Sequence, residues 1–164
     1  MPEPAPGTEA AAEAFARLGG RLYRYTLAIL GSPADAEEIV QDLFLTLAET
    51  DGAAWPRDLD GWLLRSARNL SWRRLGRARR RREILKGAAP LLAPREAGDP
   101  DLEALAGRAS EALKVLPVEQ REAVALHLFE GMTFAEIGAA AGVPEDTAAS
   151  RYRYGIAKLK EILR

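Results

Sequence analysis

Trp62, Arg65, Asn69, Trp72 and Arg73 recur at three- and four-residue spacings that put them along one side of a single helix. Aromatic rings stack on unpaired bases, an amide reads base edges, and guanidinium groups grip phosphates, so this combination suits single-stranded DNA. The same helix continues through Arg73, Arg74, Arg77, Arg79, Arg80, Arg81 and Arg82 with no intervening acid. A run of charge is usually a solvated face. This one extends a helix that already carries aromatics, which favours nucleic-acid contact.

A second set lies near the C-terminus. Thr147, Ser150, Arg151, Arg153 and Tyr154 share the face of a helix opposite Ala148, Tyr152, Ile156, Leu159 and Leu163, which should pack inward. That helix follows a short one through a turn at Gly142-Val143-Pro144, the arrangement of a helix-turn-helix whose second helix enters a major groove. A third set is acidic. Asp35, Glu38, Asp42 and Glu49 line a helix, and the like charges of Glu38 and Asp42 one turn apart cost a few tenths of a kcal/mol in isolation. A basic partner would offset that cost, whereas a solvated face would leave it standing.

The elements needed to position these sets are well punctuated. An amphipathic helix over about Ala10–Leu30 carries Phe15, Leu18, Leu22, Tyr25 and Ile29 inward, and Gly19-Gly20 predicts a weak point that divides it. Ser32 as N-cap with Pro33 in the first position opens the acidic helix, whose buried side holds Ala36, Ile39 or Val40, Leu43 and Leu47. A loop over residues 50–60 contains Trp55, either a lid on the core or a recognition aromatic. Asp58 or Asp60 caps the next helix, which buries Leu59, Leu63, Ala67 and Leu70 and runs to about Arg82. Gly87, Pro90, Pro94, Gly98 and Pro100 mark an extended linker. A helix follows over about Asp101–Leu116, burying Leu102, Leu105, Ala109 and Leu113. Pro117 starts the next helix, Gly131 ends it, and Thr133 with Glu136 forms a capping box. The expected fold is all-α, with two small helical domains at 9–85 and 101–164 joined by a flexible linker at 86–100.

Composition narrows the function. The chain has 164 residues, of which 48% are hydrophobic, and no cysteine, which removes disulfides and thiol chemistry and fits a reducing cytosol. No apolar run approaches a membrane span and the N-terminus does not resemble a signal peptide, so a soluble cytoplasmic protein with no membrane insertion is expected. The formal net charge of −1 conceals −7 over residues 1–60, +8 over 61–100 and −2 over 101–164, which points to one basic and one polyanionic partner. His127, the single histidine, lies among apolar residues and reads as structural. No phosphate-binding glycine loop, zinc-binding or nucleophile motif is present, so no catalytic residue, metal or cofactor is expected.

Taken in order, these motifs resemble the extracytoplasmic-function class of sigma-70 transcription factors. Asp35 to Phe44 is similar to the region that docks on the β′ clamp helices of core RNA polymerase. Gly61 to Leu70 is similar to the helix that reads the −10 element. Leu116-Pro117 with Gln120-Arg121-Glu122, Phe134 to Gly138, and Thr147 with Ser150-Arg151 resemble the domain that reads the −35 element. The resemblance implies polymerase contacts at Asp35, Glu38, Gln41 and Asp42. It implies −10 contacts at Trp62, Arg65, Asn69, Trp72, Arg73 and Arg77, and −35 contacts at Thr147, Ser150, Arg151, Arg153 and Tyr154. Partners would be core RNA polymerase, promoter DNA and, as is common in the class, an anti-sigma factor; the setting would be the bacterial cytoplasm and nucleoid. The chain departs from the pattern at Arg73, often Asp, at Asp146, usually Gly, and at Ala148-Ala149, which replace a basic residue. Weak duplex binding by the C-terminal part alone is therefore expected. A stand-alone dimeric helix-turn-helix regulator would leave the acidic stripe and the Trp62/Asn69/Trp72 face unexplained. A degenerate relative that binds polymerase without reading promoters would draw on the acids at 145 and 146.

Overall fold

The structure, a computed structural model, describes residues 7–84, 108–109 and 111–164. The expected linker and half of the helix expected over 101–116, Leu102 and Leu105 included, lie outside these residues; Ala109, expected inward, is exposed, and Leu113 is half buried. Among the described residues the longer helices are α1 (Thr8–Leu30), α2 (Pro33–Glu49), α3 (Leu59–Ile84), α4 (Val118–Glu130), α5 (Phe134–Ala141) and α6 (Glu145–Ile162). Residues 111–115 are also helical, and no strand occurs among the described residues.

Local chemistry places the helix ends. Gly31, Gly131 and Gly142 close α1, α4 and α5 in the left-handed conformation, at φ of 65°, 64° and 69°. Only glycine adopts it without strain. Ser32 accepts the Asp35 N–H at 3.3 Å with Pro33 behind it. Asp58 accepts the Gly61 N–H at 3.0 Å at the start of α3. Pro117 sits just before α4 rather than inside it, and its carbonyl accepts from Gln120 and Arg121 at 3.0 Å each. The Thr133/Glu136 capping box forms with both reciprocal bonds, at 3.2 and 2.7 Å.

These bonds hold the Glu136 carboxyl below its ordinary range, the Thr133 backbone N–H contributing most and the hydroxyl next. A depressed carboxylate stabilises the fold fully above its unfolded value, about 4, and that contribution disappears as pH falls through the lower folded value. Thermal melts from neutral pH to about pH 3 should therefore show a smaller acid-induced loss of Tm for Glu136→Gln than for the wild type. Equal losses would contradict the assignment.

Helix α1 runs unbroken through Gly19-Gly20. Two glycines cost about 2 kcal/mol relative to alanine, but α1 buries Leu18, Leu22, Tyr25 and Ile29, and burial of each large apolar side chain contributes about as much as the whole penalty. Phe15 is half exposed rather than inward, with its ring edge-on to Phe44 at 5.1 Å. Both Ile39 and Val40 are buried in α2, beside Leu43, Phe44 and Leu47. Trp55 is a lid: it packs on the core, and its indole N–H donates to Leu47 O and Thr50 O at 3.3 and 3.2 Å. His127 is structural. Its Nδ1 lies 2.9 Å from Met132 O, an acceptor, so that nitrogen carries the proton; the ring stacks on Phe134 and meets Tyr152 edge-on.

Helices α1, α2 and α3 pack together, as do α4, α5 and α6, and α1 also packs on α4. The apolar interior is therefore continuous, from Ala11 and Leu22 in α1 through Ala123 and Leu126 in α4 to Ile137 and Ala148.

Candidate nucleic-acid interface

The three sets of candidate residues occupy three separate helices. On α3, a rod about 39 Å long, only Leu63, Ala67 and Ser71 are buried. Leu70 is half buried, and every residue from Arg79 to Ile84 is exposed. Arg65, Asn69, Arg73 and Arg77 are exposed, Trp62 is half buried against the core, and Trp72 is half buried. Arg65 lies 3.6 Å from Asp58 in a solvated pair, while Arg73 and Arg77 enter no ion pair among the described residues.

On α6, Ala148 and Gly155 face inward. A Cβ at Gly155 would lie 2.8 Å from the Val124 side chain, so glycine permits the close crossing of α6 on α4. Arg153 and Tyr154 are exposed, Thr147, Ser150 and Arg151 are half exposed, and Arg153 donates to the Ser150 hydroxyl at 3.1 Å. Ile156 and Leu159 are half buried, but Leu163, expected inward, is exposed, as is Ile162 in the last turn of α6. Glu145 and Asp146 stand exposed in its first turn, where the helix dipole favours acids.

On α2, Glu38, Gln41 and Asp42 are exposed and Asp35 is half exposed. Arg74 of α3 bridges Asp35 and Glu38 at 3.0 Å each. Its hydrogen bond, and then its charge, hold Glu38 below the ordinary carboxylate range. Part of the like-charge cost along α2 is thus offset within the chain itself.

The polar centre of the molecule was not among the candidates. Glu122 is 1% exposed, yet all its acceptors face donors. Its Oε1 receives the Tyr25 hydroxyl at 2.9 Å, Arg68 Nε at 2.6 Å and Trp72 Nε1 at 3.1 Å; its Oε2 receives Arg68 Nη2 at 3.1 Å. The Arg68 guanidinium also lies over the Trp72 ring, 5.3 Å from its centroid. Burial, and then the Glu122 charge, push the Tyr25 phenol well above its ordinary value, so it remains a donor. Nearby, Arg21 pairs with Glu130 at 2.7 Å, and Arg121 donates to four backbone carbonyls. The signal for Glu122 was present in the sequence: it precedes Leu126 by one turn, on the inward side of α4.

Among the described residues no cluster of three or more acids or histidines is placed to hold a metal ion, and no helix is long and apolar enough to cross a membrane.

Comparison with known proteins agrees with this arrangement. The family model for sigma-70 region 2 matches residues 14–81 and that for sigma-70 region 4 matches residues 112–161. The extracytoplasmic-function RNA polymerase sigma factor SigE of Mycolicibacterium smegmatis is 35% identical over 87% of this chain, which spans 57% of that longer protein. RNA polymerase sigma factor CarQ of Myxococcus xanthus is 30% identical over 91% of this chain and 86% of its own length. The fold is similar to that of sigma factor RpoE from Bartonella quintana, solved with the anti-sigma factor NepR, at a TM-score of 0.72 and 22% identity over 93% of this chain and 95% of that one. With helices in this order and both regions matched, the chain belongs to the sigma-70 family of transcription initiation factors, in its extracytoplasmic-function class.

Proposed function

We propose that the chain binds core RNA polymerase through Asp35, Glu38, Gln41 and Asp42 on α2, and directs it to promoters through α3 and α6. In this reading the polymerase contributes a basic helical surface, the β′ clamp helices, to the acidic stripe. Trp62, Arg65, Asn69, Trp72, Arg73 and Arg77 engage the melted −10 strand, and Thr147, Ser150, Arg151, Arg153 and Tyr154 engage the −35 duplex. Residues 9–85 and 101–164 act as the two promoter-reading domains, with 86–100 spanning between them. The observation that carries the reading is the placement of an acidic face, an Arg- and aromatic-bearing face and a helix-turn-helix face on three different helices, in the order in which the family uses them.

The chain supplies recognition and strand opening and performs no catalysis itself, and it works in the cytoplasm at the nucleoid. RpoE was solved with NepR, and CnrH with the cytosolic domain of CnrY; an anti-sigma factor is accordingly included among the partners of this chain.

The test is run-off transcription with core polymerase on a library of promoter fragments. Initiation that depends on the added chain, and that selects a common −10 and −35 sequence, supports the reading. Polymerase binding without promoter-dependent initiation would hand the case to the degenerate relative. A stable dimer that ignores polymerase would hand it to the stand-alone regulator.

A further inference from the structure

The four hydrogen bonds that converge on Glu122 come from α1 and α3, while the carboxylate comes from α4. Tyr25, Arg68 and Trp72 therefore form a complete anion site within the first three helices, and its present occupant lies 97 residues from Tyr25 along the chain. We propose that this site takes a backbone phosphate of single-stranded DNA when the C-terminal helices swing away, and that Glu122 fills it as a stand-in while they are docked. The proposal rests on the functional reading above, which requires α3 to meet a melted strand.

The chemistry of the two occupants is alike. A carboxylate and a phosphodiester each carry one negative charge and present two anionic oxygens, the pattern that the Nε/Nη2 edge of a guanidinium binds in bidentate fashion. An indole N–H and a phenol O–H serve either acceptor equally. Withdrawing Glu122 would leave the Arg68 cation and two further donors without their acceptor, a costly state unless water or another anion enters. Location supplies that anion. Arg68 and Trp72 lie on α3 among Arg65, Asn69 and Arg73, so a strand that follows these exposed residues brings its backbone to the site. One set of donors cannot hold both occupants, which makes docking of α4 and capture of that phosphate mutually exclusive.

The experiment measures binding of the full-length chain to a short, mixed-sequence single-stranded oligonucleotide by fluorescence anisotropy across a salt series. It compares wild type, Glu122→Gln, Arg68→Met and the double variant. Glu122→Gln should bind at least tenfold more tightly than wild type. In that background Arg68→Met should remove most of the gain and flatten the log affinity–log salt slope by about 0.7, the value for one phosphate contact on a single strand. No gain in Glu122→Gln, or a gain that survives Arg68→Met, overturns the proposal. Displacement of the oligonucleotide by inorganic phosphate at matched phosphate concentration overturns the assignment to DNA.

A second measurement leaves Glu122 untouched. Wild-type chain bound to core polymerase is offered −10 strands with one neutral methylphosphonate at a time. One position should weaken binding for wild type and leave Arg68→Met unaffected; a uniform profile overturns the site. If the chain fails to bind polymerase at all, the functional reading falls, and the oligonucleotide series on the free chain still decides the anion site.

Discussion

Arg121→Met is expected to destabilise the fold by about 3 kcal/mol and lower the Tm by roughly 10 °C. Its guanidinium donates to Ile29 O at 2.6 Å, Leu113 O at 2.8 Å, and Lys114 O and Leu116 O at 3.1 Å each. Ile29 lies in the last turn of α1, where carbonyls lack partners within the helix and a cation is favoured by the dipole. Leu113 and Lys114 end the short helical stretch before α4. One planar group thus closes two helix ends and joins α4 to both. Burial lowers the Arg121 pKa from its ordinary value without discharging it. Hydrogen bonds from a charged donor contribute about 1.5–3 kcal/mol each when well buried, and partial exposure here reduces the sum. Methionine keeps the length of the side chain and none of the donors. Arg121→Lys should recover only part of the loss, since an ammonium cannot reproduce the fork. Melting curves check both; a Tm change of Arg121→Met within a degree or two of wild type would refute the role.

Glu38→Lys/Asp42→Lys is expected to abolish co-elution with core RNA polymerase while leaving the fold intact. Two reversals on one face turn attraction to a basic surface into repulsion, and like-charge juxtaposition at an interface costs several kcal/mol, enough to remove binding at the concentrations of a gel-filtration run. The intramolecular cost is small. Glu38 loses its pair with Arg74, but that pair is solvated and Asp35 keeps the same guanidinium. Asp42 enters no ion pair among the described residues, so Asp42→Lys alone separates the intermolecular effect from the Arg74 contact. The fold is monitored by circular dichroism. Retained co-elution by the folded double variant would remove α2 from the polymerase interface.

Much of this architecture was legible because its causes are local. Ser32, Asp58 and the Thr133/Glu136 box cap helices through atoms within three residues, and Gly31, Gly131 and Gly142 end them through a conformation that other residues resist. Apolar spacing was enough to assign the inward faces of α2 and α3 and the Ala148 side of α6. Where the outcome depended on balancing a local preference against packing, local reasoning fell short. Gly19-Gly20 predicts a break, and burial along α1 overrides it. Leu163 fits the inward stripe of α6, but it lies just past the end of the helix and stays 53% exposed, in an open groove beside Ala112 and Val115. Trp55 stayed ambiguous until Leu47 and Thr50 were seen to supply the acceptors for its indole.

Most helix positions, their punctuation, the uneven distribution of charge and the order of motifs that marks the family were readable from the residues alone, since each depends on neighbours within a turn or two. What the polar groups between α1, α3 and α4 do emerged with the packing of these helices. Tyr25, Arg68, Trp72 and Glu122 are dispersed over nearly a hundred residues, and nothing in their spacing says that they meet. Arg121 likewise looks like one more surface base until α1 brings the Ile29 carbonyl to it. The physical reason is that a buried charge must find every one of its partners, and the packing of α4 on α1 is what selects them.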